Sequence, residues 1–135
     1  MVQPQWELAR PVTVLIAEDE ELVRAMIARL MWGEGYRTLE ARDGAEAMHL
    51  AHLAGTHLDL VITDVVMPTV DGRELGRRLG SLYPTLPVLY ISGYNNGDIF
   101  NRDGPGPVAS FLQKPFDSEV LLDKVRALLG TNSGV

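Results

Sequence analysis

The sequence predicts an α/β domain built on a doubly wound parallel sheet, and three observations lead to this fold class. Short, almost wholly apolar runs recur along the chain, amphipathic segments lie between them, and acidic or polar residues directly follow several of the runs. Apolar runs of this length are typical of parallel strands that helices cover on both faces. The length of 135 residues, 46% of them hydrophobic, suits one domain with a buried core.

Five short segments are predicted as strands. In chain order they are Val12–Ala17, Tyr36–Ala41, Leu58–Thr63, Pro87–Ser92 and Ser110–Lys114. A chain in which strands and helices alternate forms parallel strands joined by right-handed crossovers, which leaves few topologies. The flavodoxin-like strand order 2-1-3-4-5 is one of the two common orders, and we predict it here, with helices on both faces of the sheet.

The helices are predicted from helical spacing of apolar residues and from their end signals. In chain order they are Glu21–Trp32, Ala45–Ala54, Arg73–Leu82 and Asp117–Leu129. In the first helix the apolar positions are Leu22, Met26, Ile27 and Leu30. Glycine or proline ends each helix, and Asp117 or Ser118 is a suitable N-cap for the last one.

Three stretches depart from this alternation. We expect residues 1–11 to form a flexible lead-in, residues 12–130 to form the folded domain, and residues 131–135 to form a polar tail. After the fourth strand, Tyr94–Arg102 could begin a helix, but the Gly/Pro-rich run Asp103–Pro107 cannot continue one. The fourth helix of the fold is therefore expected to be short or irregular.

Composition excludes several classes of function. The formal net charge is −6 and the one basic doublet is Arg77-Arg78, so direct nucleic-acid binding is not expected. Cysteine is absent, which excludes thiol catalysis and thiolate metal sites. No apolar run approaches twenty residues and the N-terminus does not have the pattern of a signal peptide, so we expect a cytoplasmic protein without membrane insertion.

Charged and polar residues follow the predicted strands. Glu18-Asp19 follows the first strand, Asp64 the third, and Ser92 and Lys114 end the fourth and fifth. The carboxyl ends of parallel strands meet at one edge, so these side chains should converge there. Hard oxygen ligands favour Mg²⁺, with Asp19 and Asp64 as direct ligands and Glu18 acting through a metal-bound water. A carboxylate can also attack phosphorus, and Lys114 and Ser92 could then stabilise the phosphoryl oxygens.

The same stretches resemble a known family. The acidic pair Glu18-Asp19, the segment Asp64–Gly72, the dipeptide Ser92-Gly93 after an apolar strand, and Lys114-Pro115-Phe116 are together similar to receiver domains of two-component response regulators. The likeness runs from Val12 to Leu129 and includes the order and spacing of the motifs.

The resemblance implies a role for each matching position. Asp64 would be the phosphoacceptor, and the backbone carbonyl of Val66 would join Asp19 and Asp64 in binding the metal. Lys114 would contact the phosphoryl group, and Ser92 with Phe111 would form the switch pair. Glu18 stands where aspartate is more usual, and Phe111 lacks the hydroxyl of the frequent tyrosine. Tyr94, two residues beyond the switch serine, would screen the phosphoryl group from water.

The resemblance also implies partners. A histidine kinase or a histidine phosphotransfer protein would supply the phosphoryl group, and the switched surface would bind a downstream protein or a second copy of the chain. The apolar strand before Ser92 and the segment Phe111–Phe116 resemble the corresponding segments of receiver domains that are attached to hybrid sensor kinases. Such a domain is not an enzyme beyond catalysing its own phosphorylation and dephosphorylation.

Two other functions stay open from the residues alone. One is a Mg²⁺-dependent phosphohydrolase working through an aspartyl phosphate, although Val66 stands where such enzymes generally carry a second aspartate. The other is an interaction module that does not depend on phosphate. The histidines are interpreted as surface residues without a metal role: His49, His52 and His57.

Overall fold

The computed structural model describes residues 11–93 and 109–130, and these form one five-stranded parallel sheet with helices packed on it. The strands are β1 (Thr13–Ala17), β2 (Arg37–Ala41), β3 (Leu60–Asp64), β4 (Val88–Ser92) and β5 (Ala109–Gln113). The helices of the described residues are α1 (Glu21–Gly33), α2 (Gly44–Ala54), α3 (Gly72–Leu82) and α4 (Ser118–Leu129), with a 3₁₀ turn at Gly55–His57.

The strand order is β2-β1-β3-β4-β5, and all pairs are parallel. In register, Val14 of β1 lies between Thr38 of β2 and Leu60 of β3. The predicted order 2-1-3-4-5 is therefore confirmed. It brings β1 and β3 together at the centre of the sheet, so the residues that follow these strands meet at its carboxyl edge.

Helices cover both faces of the sheet, as the apolar strands predicted. On one face α2 and α3 pack with the buried residues Leu15, Val61 and Leu75. On the other face α1 and α4 pack with Ile16 and Ile62, among others. The residues of β3 and β4 are buried throughout, which explains why those strands have no polar alternation.

The predicted helix ends agree with the structure to within a residue or two. Asp117 is the N-cap of α4 and accepts a hydrogen bond from the amide of Glu119 at 2.8 Å. Gly130 ends that helix with φ of 70°, in the left-handed region that glycine adopts without strain. The 3₁₀ turn after α2 was not predicted.

Helical spacing in α1 does not by itself decide which apolar residues are buried. Leu22 and Met26 recur at helical spacing with Ile27, yet Leu22 is 82% exposed and Met26 is 40% exposed. Ile27, Ala28 and Met31 form the buried stripe instead. A helical period defines which residues share a face, but only the packing of the sheet decides where the edge of the covered stripe falls.

Some predictions concern residues outside those that the structure describes, namely 1–10, 94–108 and 131–135. They are the flexible lead-in, the short or irregular fourth helix, the role of Tyr94 and the C-terminal tail, and they stay predictions. Among the helices that are described, none is long and apolar enough to pass through a bilayer.

Candidate functional site at the carboxyl edge of the sheet

Backbone pairing extends one residue beyond the strands and fixes where the site residues begin. The amide of Glu18 donates to the carbonyl of Ala41 at 3.0 Å, and the amide of Lys114 donates to the carbonyl of Ser92 at 2.8 Å. Because each residue is attached to a buried strand, its side chain leaves the sheet from a defined point. The peptide bond between Lys114 and Pro115 is cis.

An ion cluster lies at this edge. Lys114 Nζ is 3.0 Å from Glu18 Oε1 and 3.0 Å from Asp64 Oδ2, so one ammonium bridges carboxylates from two strands. Glu18, Asp19 and Asp64 each offer a carboxylate oxygen, and these oxygens all lie within 4.8 Å of one another. The structure therefore brings together four of the residues that the sequence singled out.

The members of the cluster differ in exposure. Glu18 is 1% exposed and Asp64 is 8% exposed, whereas Asp19 faces solvent. Lys114 is partly buried and reaches the two carboxylates from β5. The cluster thus combines two buried carboxylates with one that is open to solvent.

Burial raises the pKa of Glu18 to about 7, and the nearby charge of Asp64 acts in the same direction. Hydrogen bonds from the amide of Glu20, at 3.0 Å, and from Lys114 oppose this rise. Burial works to lower the pKa of Lys114, but its hydrogen bonds to Glu18 and Asp64 outweigh burial and raise that pKa. The ammonium stays charged, while burial disfavours a second negative charge in the cluster.

The chemistry of the donors fits a hard divalent cation. Three carboxylates and one ammonium occupy the cluster, so ionisation of all three acids leaves an excess of negative charge. The candidate ligands are oxygens, and the histidines 49, 52 and 57 are exposed and take no part in the cluster. This donor set suits Mg²⁺ better than zinc.

The loop after β3 starts in the site. The amide of Val66 donates to Asp64 Oδ1 at 3.3 Å, and the Val66 side chain is 59% exposed. The predicted metal ligand at this position is the backbone carbonyl of Val66, which lies two residues from the phosphoacceptor candidate. Its role stays a prediction.

The predicted switch residues lie on neighbouring strands. Ser92 is fully buried at the end of β4, and Phe111 of β5 is half-buried. The Phe111 ring stacks on Tyr90, its register partner, with ring centroids 5.7 Å apart. A change in the position of Phe111 would therefore alter its contact with a tyrosine two residues before Ser92.

Sequence reasoning missed two residues, Arg24 beside the cluster and Thr69 in the loop that follows Asp64. Arg24 of α1 donates from a guanidinium nitrogen to the backbone carbonyl of Glu18 at 2.9 Å and lies 3.5 Å from Glu40. Thr69, in the loop after β3, has a positive φ of 66°. Nothing in the spacing of Arg24 distinguishes it from a surface arginine, but the position of Thr69 between Pro68 and the Asp71-Gly72 turn was a usable signal.

Comparison with known proteins gives a consistent result. The family model described as response regulator receiver domain matches residues 14–126. The sensor kinase CckA of Brucella abortus (strain 2308) is 36% identical over 129 residues, which are 95% of this chain and 14% of CckA. The response regulator MprA of Mycobacterium sp. (strain KMS) is 35% identical over 123 residues, which are 91% of this chain and 53% of MprA.

A solved structure supports the same relation. The crystal structure of the receiver domain from the hybrid histidine kinase CckA has a TM-score of 0.73 and 38% identity, and the match covers 87% of this chain and 98% of that domain. The chain spans about half of MprA and a smaller part of CckA. What these relatives share with it is therefore this one domain.

Proposed function

From the premise that this chain belongs to the response regulator receiver domain family of two-component systems, we propose that it accepts a phosphoryl group on Asp64 with Mg²⁺ and thereby changes its protein-binding surface. The observation that carries the proposal is the bridge from Lys114 to Glu18 and Asp64, beside Asp19, at the edge where the strands end. Chemistry on this chain is limited to its own phosphorylation and dephosphorylation.

The transfer is a displacement at phosphorus. A carboxylate oxygen of Asp64 attacks and an O–P bond forms. The N–P bond of a phosphohistidine donor breaks, its electron pair goes to the ring nitrogen, and a donor protonated on the other ring nitrogen leaves as neutral imidazole. Asp64 is 8% exposed at the end of β3, so the strand holds the residue in place while a small part of it reaches solvent. Such a reaction depends on positioning and charge neutralisation more than on further covalent chemistry.

Each neighbour of Asp64 has a defined contribution. Asp19, Asp64 and the Val66 carbonyl are the proposed direct metal ligands, and Glu18 holds a metal-bound water. Bound Mg²⁺ supplies positive charge to the clustered carboxylates and to the phosphoryl oxygens. Lys114 already lies within hydrogen-bonding distance of Asp64, so its ammonium can contact a phosphoryl oxygen after a small movement.

Ser92 and Phe111 are the proposed switch pair. The Ser92 hydroxyl donates to the phosphoryl group, and Phe111 then moves inward from its half-buried position beside Tyr90. Differential contact with the phosphoryl group shifts the equilibrium between two surfaces. A downstream protein or a second copy of the chain binds the phosphorylated form.

The phosphodonor is a histidine kinase or a histidine phosphotransfer protein. Similarity to the receiver domain of a hybrid histidine kinase supports this class of donor. The proposal includes a cytoplasmic location, where a kinase forms its phosphohistidine from ATP. It also includes a chain organisation in which residues 1–11 lead into the receiver domain at 12–130 and 131–135 form a tail.

The test is incubation with acetyl phosphate and Mg²⁺, followed by intact mass measurement. We expect a mass increase of one phosphoryl group on the wild type, sensitive to hydroxylamine, and no increase on Asp64→Asn. Asp71→Asn is the matched control because it makes the same chemical change at the far end of the loop that follows Asp64 and keeps the N-cap of α3. Equal phosphorylation of the wild type and Asp64→Asn would contradict the proposal.

A further inference from the structure

The loop from Val65 to Asp71 is attached to the fold at two places. At its base, the amide of Val65 donates to Ile91 O at 2.9 Å, and the amide of Gly72 donates to Val65 O at 2.8 Å. At its far end, the loop contacts the first turn of α2. Val66, with its proposed ligand carbonyl, lies between these two attachments.

The far contact consists of two hydrogen bonds to backbone amides of α2. Gly44 N donates to Pro68 O at 3.3 Å, and Ala45 N donates to Thr69 Oγ1 at 3.0 Å. A Cβ at position 44 would lie 1.8 Å from Val70 O, so only glycine permits this approach. The loop backbone therefore approaches the helix backbone directly at Gly44.

These bonds cap a helix that already has its own cap. The first amides of a helix have no partner within it, and an N-cap side chain satisfies only some of them. In α2 the N-cap Asp43 accepts from the amide of Glu46 at 2.8 Å, whereas the amides of Gly44 and Ala45 are satisfied by the loop. Thr69 thus supplies a cap from another part of the chain, 24 residues away.

Thr69 adopts an unfavourable backbone conformation to make this contact. Its φ of 66° lies in the left-handed region, which a β-branched residue rarely occupies. Conformations of this kind persist only where surrounding contacts fix them, and they are concentrated at functional sites. Here the hydroxyl of Thr69 donates to Pro68 O at 2.6 Å while it accepts from Ala45 N, so its orientation is determined at both ends.

We propose that Thr69 is a positioning residue for the phosphoacceptor site: its hydroxyl fixes the loop to α2 and thereby holds the Val66 carbonyl ready for the metal. The inference rests on the proposed function, because it assigns Val66 to the metal. A ligand that is already ordered loses less conformational entropy when the ion binds. Without the hydroxyl, the far end of the loop keeps only the longer hydrogen bond from Gly44 N to Pro68 O, at 3.3 Å.

The experiment compares two substitutions of Thr69 that are close in size. Thr69→Val keeps the branched shape and removes the hydroxyl, whereas Thr69→Ser keeps the hydroxyl and removes the methyl group. Mg²⁺ binding is measured by calorimetric titration of the full chain. We expect Thr69→Val to raise the Mg²⁺ dissociation constant roughly threefold to tenfold, the range of one hydrogen bond, and Thr69→Ser to remain close to wild type.

Controls at Asp43 separate positioning from loss of helix stability. Asp43→Ala removes the other cap of α2 without touching the loop, and Asp43→Asn corrects for the lost charge because asparagine caps equally well. Thr69→Val and Asp43→Ala should both lower the urea concentration at the midpoint of unfolding. Only Thr69→Val should have a Mg²⁺ dissociation constant above that of Asp43→Asn. Equal weakening by both would overturn the positioning role.

Amide hydrogen exchange provides a readout that does not depend on the metal. In Thr69→Val the amide of Ala45 should exchange faster, while the amide of Glu46, bonded to Asp43, should be unchanged. Should the wild type bind Mg²⁺ and Thr69→Val bind it equally well, only the positioning role is wrong. If the wild type binds no Mg²⁺, both the proposed function and the positioning role are wrong. This holds even if hydrogen exchange shows that the Thr69 hydroxyl protects the amide of Ala45.

Discussion

Replacement of Glu18 by glutamine should change how the stability of the metal-free protein depends on pH. Burial raises the pKa of Glu18 from 4.5 to about 7 in the folded protein. The folded state therefore binds more protons than the unfolded chain between these values. The stability contributed by the protonated carboxyl is complete below pH 4.5 and is lost as the pH rises through about 7.

The size of the effect follows from the two pKa values. At about 1.4 kcal/mol per unit, integration between pH 5 and pH 8 gives a loss of about 2 to 3 kcal/mol from Glu18 alone. This is a substantial part of the 5 to 15 kcal/mol that is roughly the usual total for a domain. Glutamine does not titrate, so Glu18→Gln removes this component of the pH dependence.

Urea unfolding in EDTA at pH 5 and pH 8 measures the effect. The wild type should lose about 2 to 3 kcal/mol more than Glu18→Gln over this interval. Glu20→Gln is the control, because it removes one exposed carboxylate at the start of α1 and leaves the backbone hydrogen bond to Glu18 in place. Parallel pH profiles for the wild type and Glu18→Gln would refute the argument that burial disfavours the charged form of Glu18.

Two further substitutions test the packing and the charges beside the site. Gly76→Ala would place a Cβ 1.8 Å from the Tyr90 hydroxyl, so it should lower the free energy of unfolding by about 1 to 3 kcal/mol in urea. Gly80→Ala in the same helix meets no atom within 4 Å and should raise the free energy of unfolding by roughly 0.5 to 1 kcal/mol. A similar effect at both positions would contradict the contact between Gly76 and Tyr90. Lys114→Met removes a hydrogen bond and a positive charge that lower the pKa of Glu18. An NMR titration of the Glu18 carboxyl carbon should therefore find this pKa above its wild-type value. An unchanged or lower pKa would exclude the ion pair between Lys114 and Glu18.

The sequence was sufficient for the architecture because its signals are local and redundant. The buried strands β3 and β4 appear as apolar runs, and Asp117 and Gly130 mark the two ends of α4. Crossover handedness then restricts how such elements can be arranged. The strand-end position of Asp64 could be predicted for the same reason, since it follows directly from where the apolar run stops.

Exposure on α1 could not be predicted in the same way. Leu22 and Met26 are apolar and share a helical face with Leu30, yet they are exposed, because the sheet and α4 cover a narrower stripe of the helix. The spacing of residues gives the relative direction of side chains but not the extent of the surface that covers them.

By itself, the sequence determined which residues stand at the ends of the strands and which chemistry they offer. Only the tertiary structure decided the contacts among them. Lys114 contacts Glu18, which is 96 residues away along the sequence, and Asp64, which is 50 residues away. Thr69 contacts the first turn of α2 at a separation of 24 residues. Contacts between such distant positions depend on the register of neighbouring strands and on the path of a loop, and no local pattern in a single sequence records either of them.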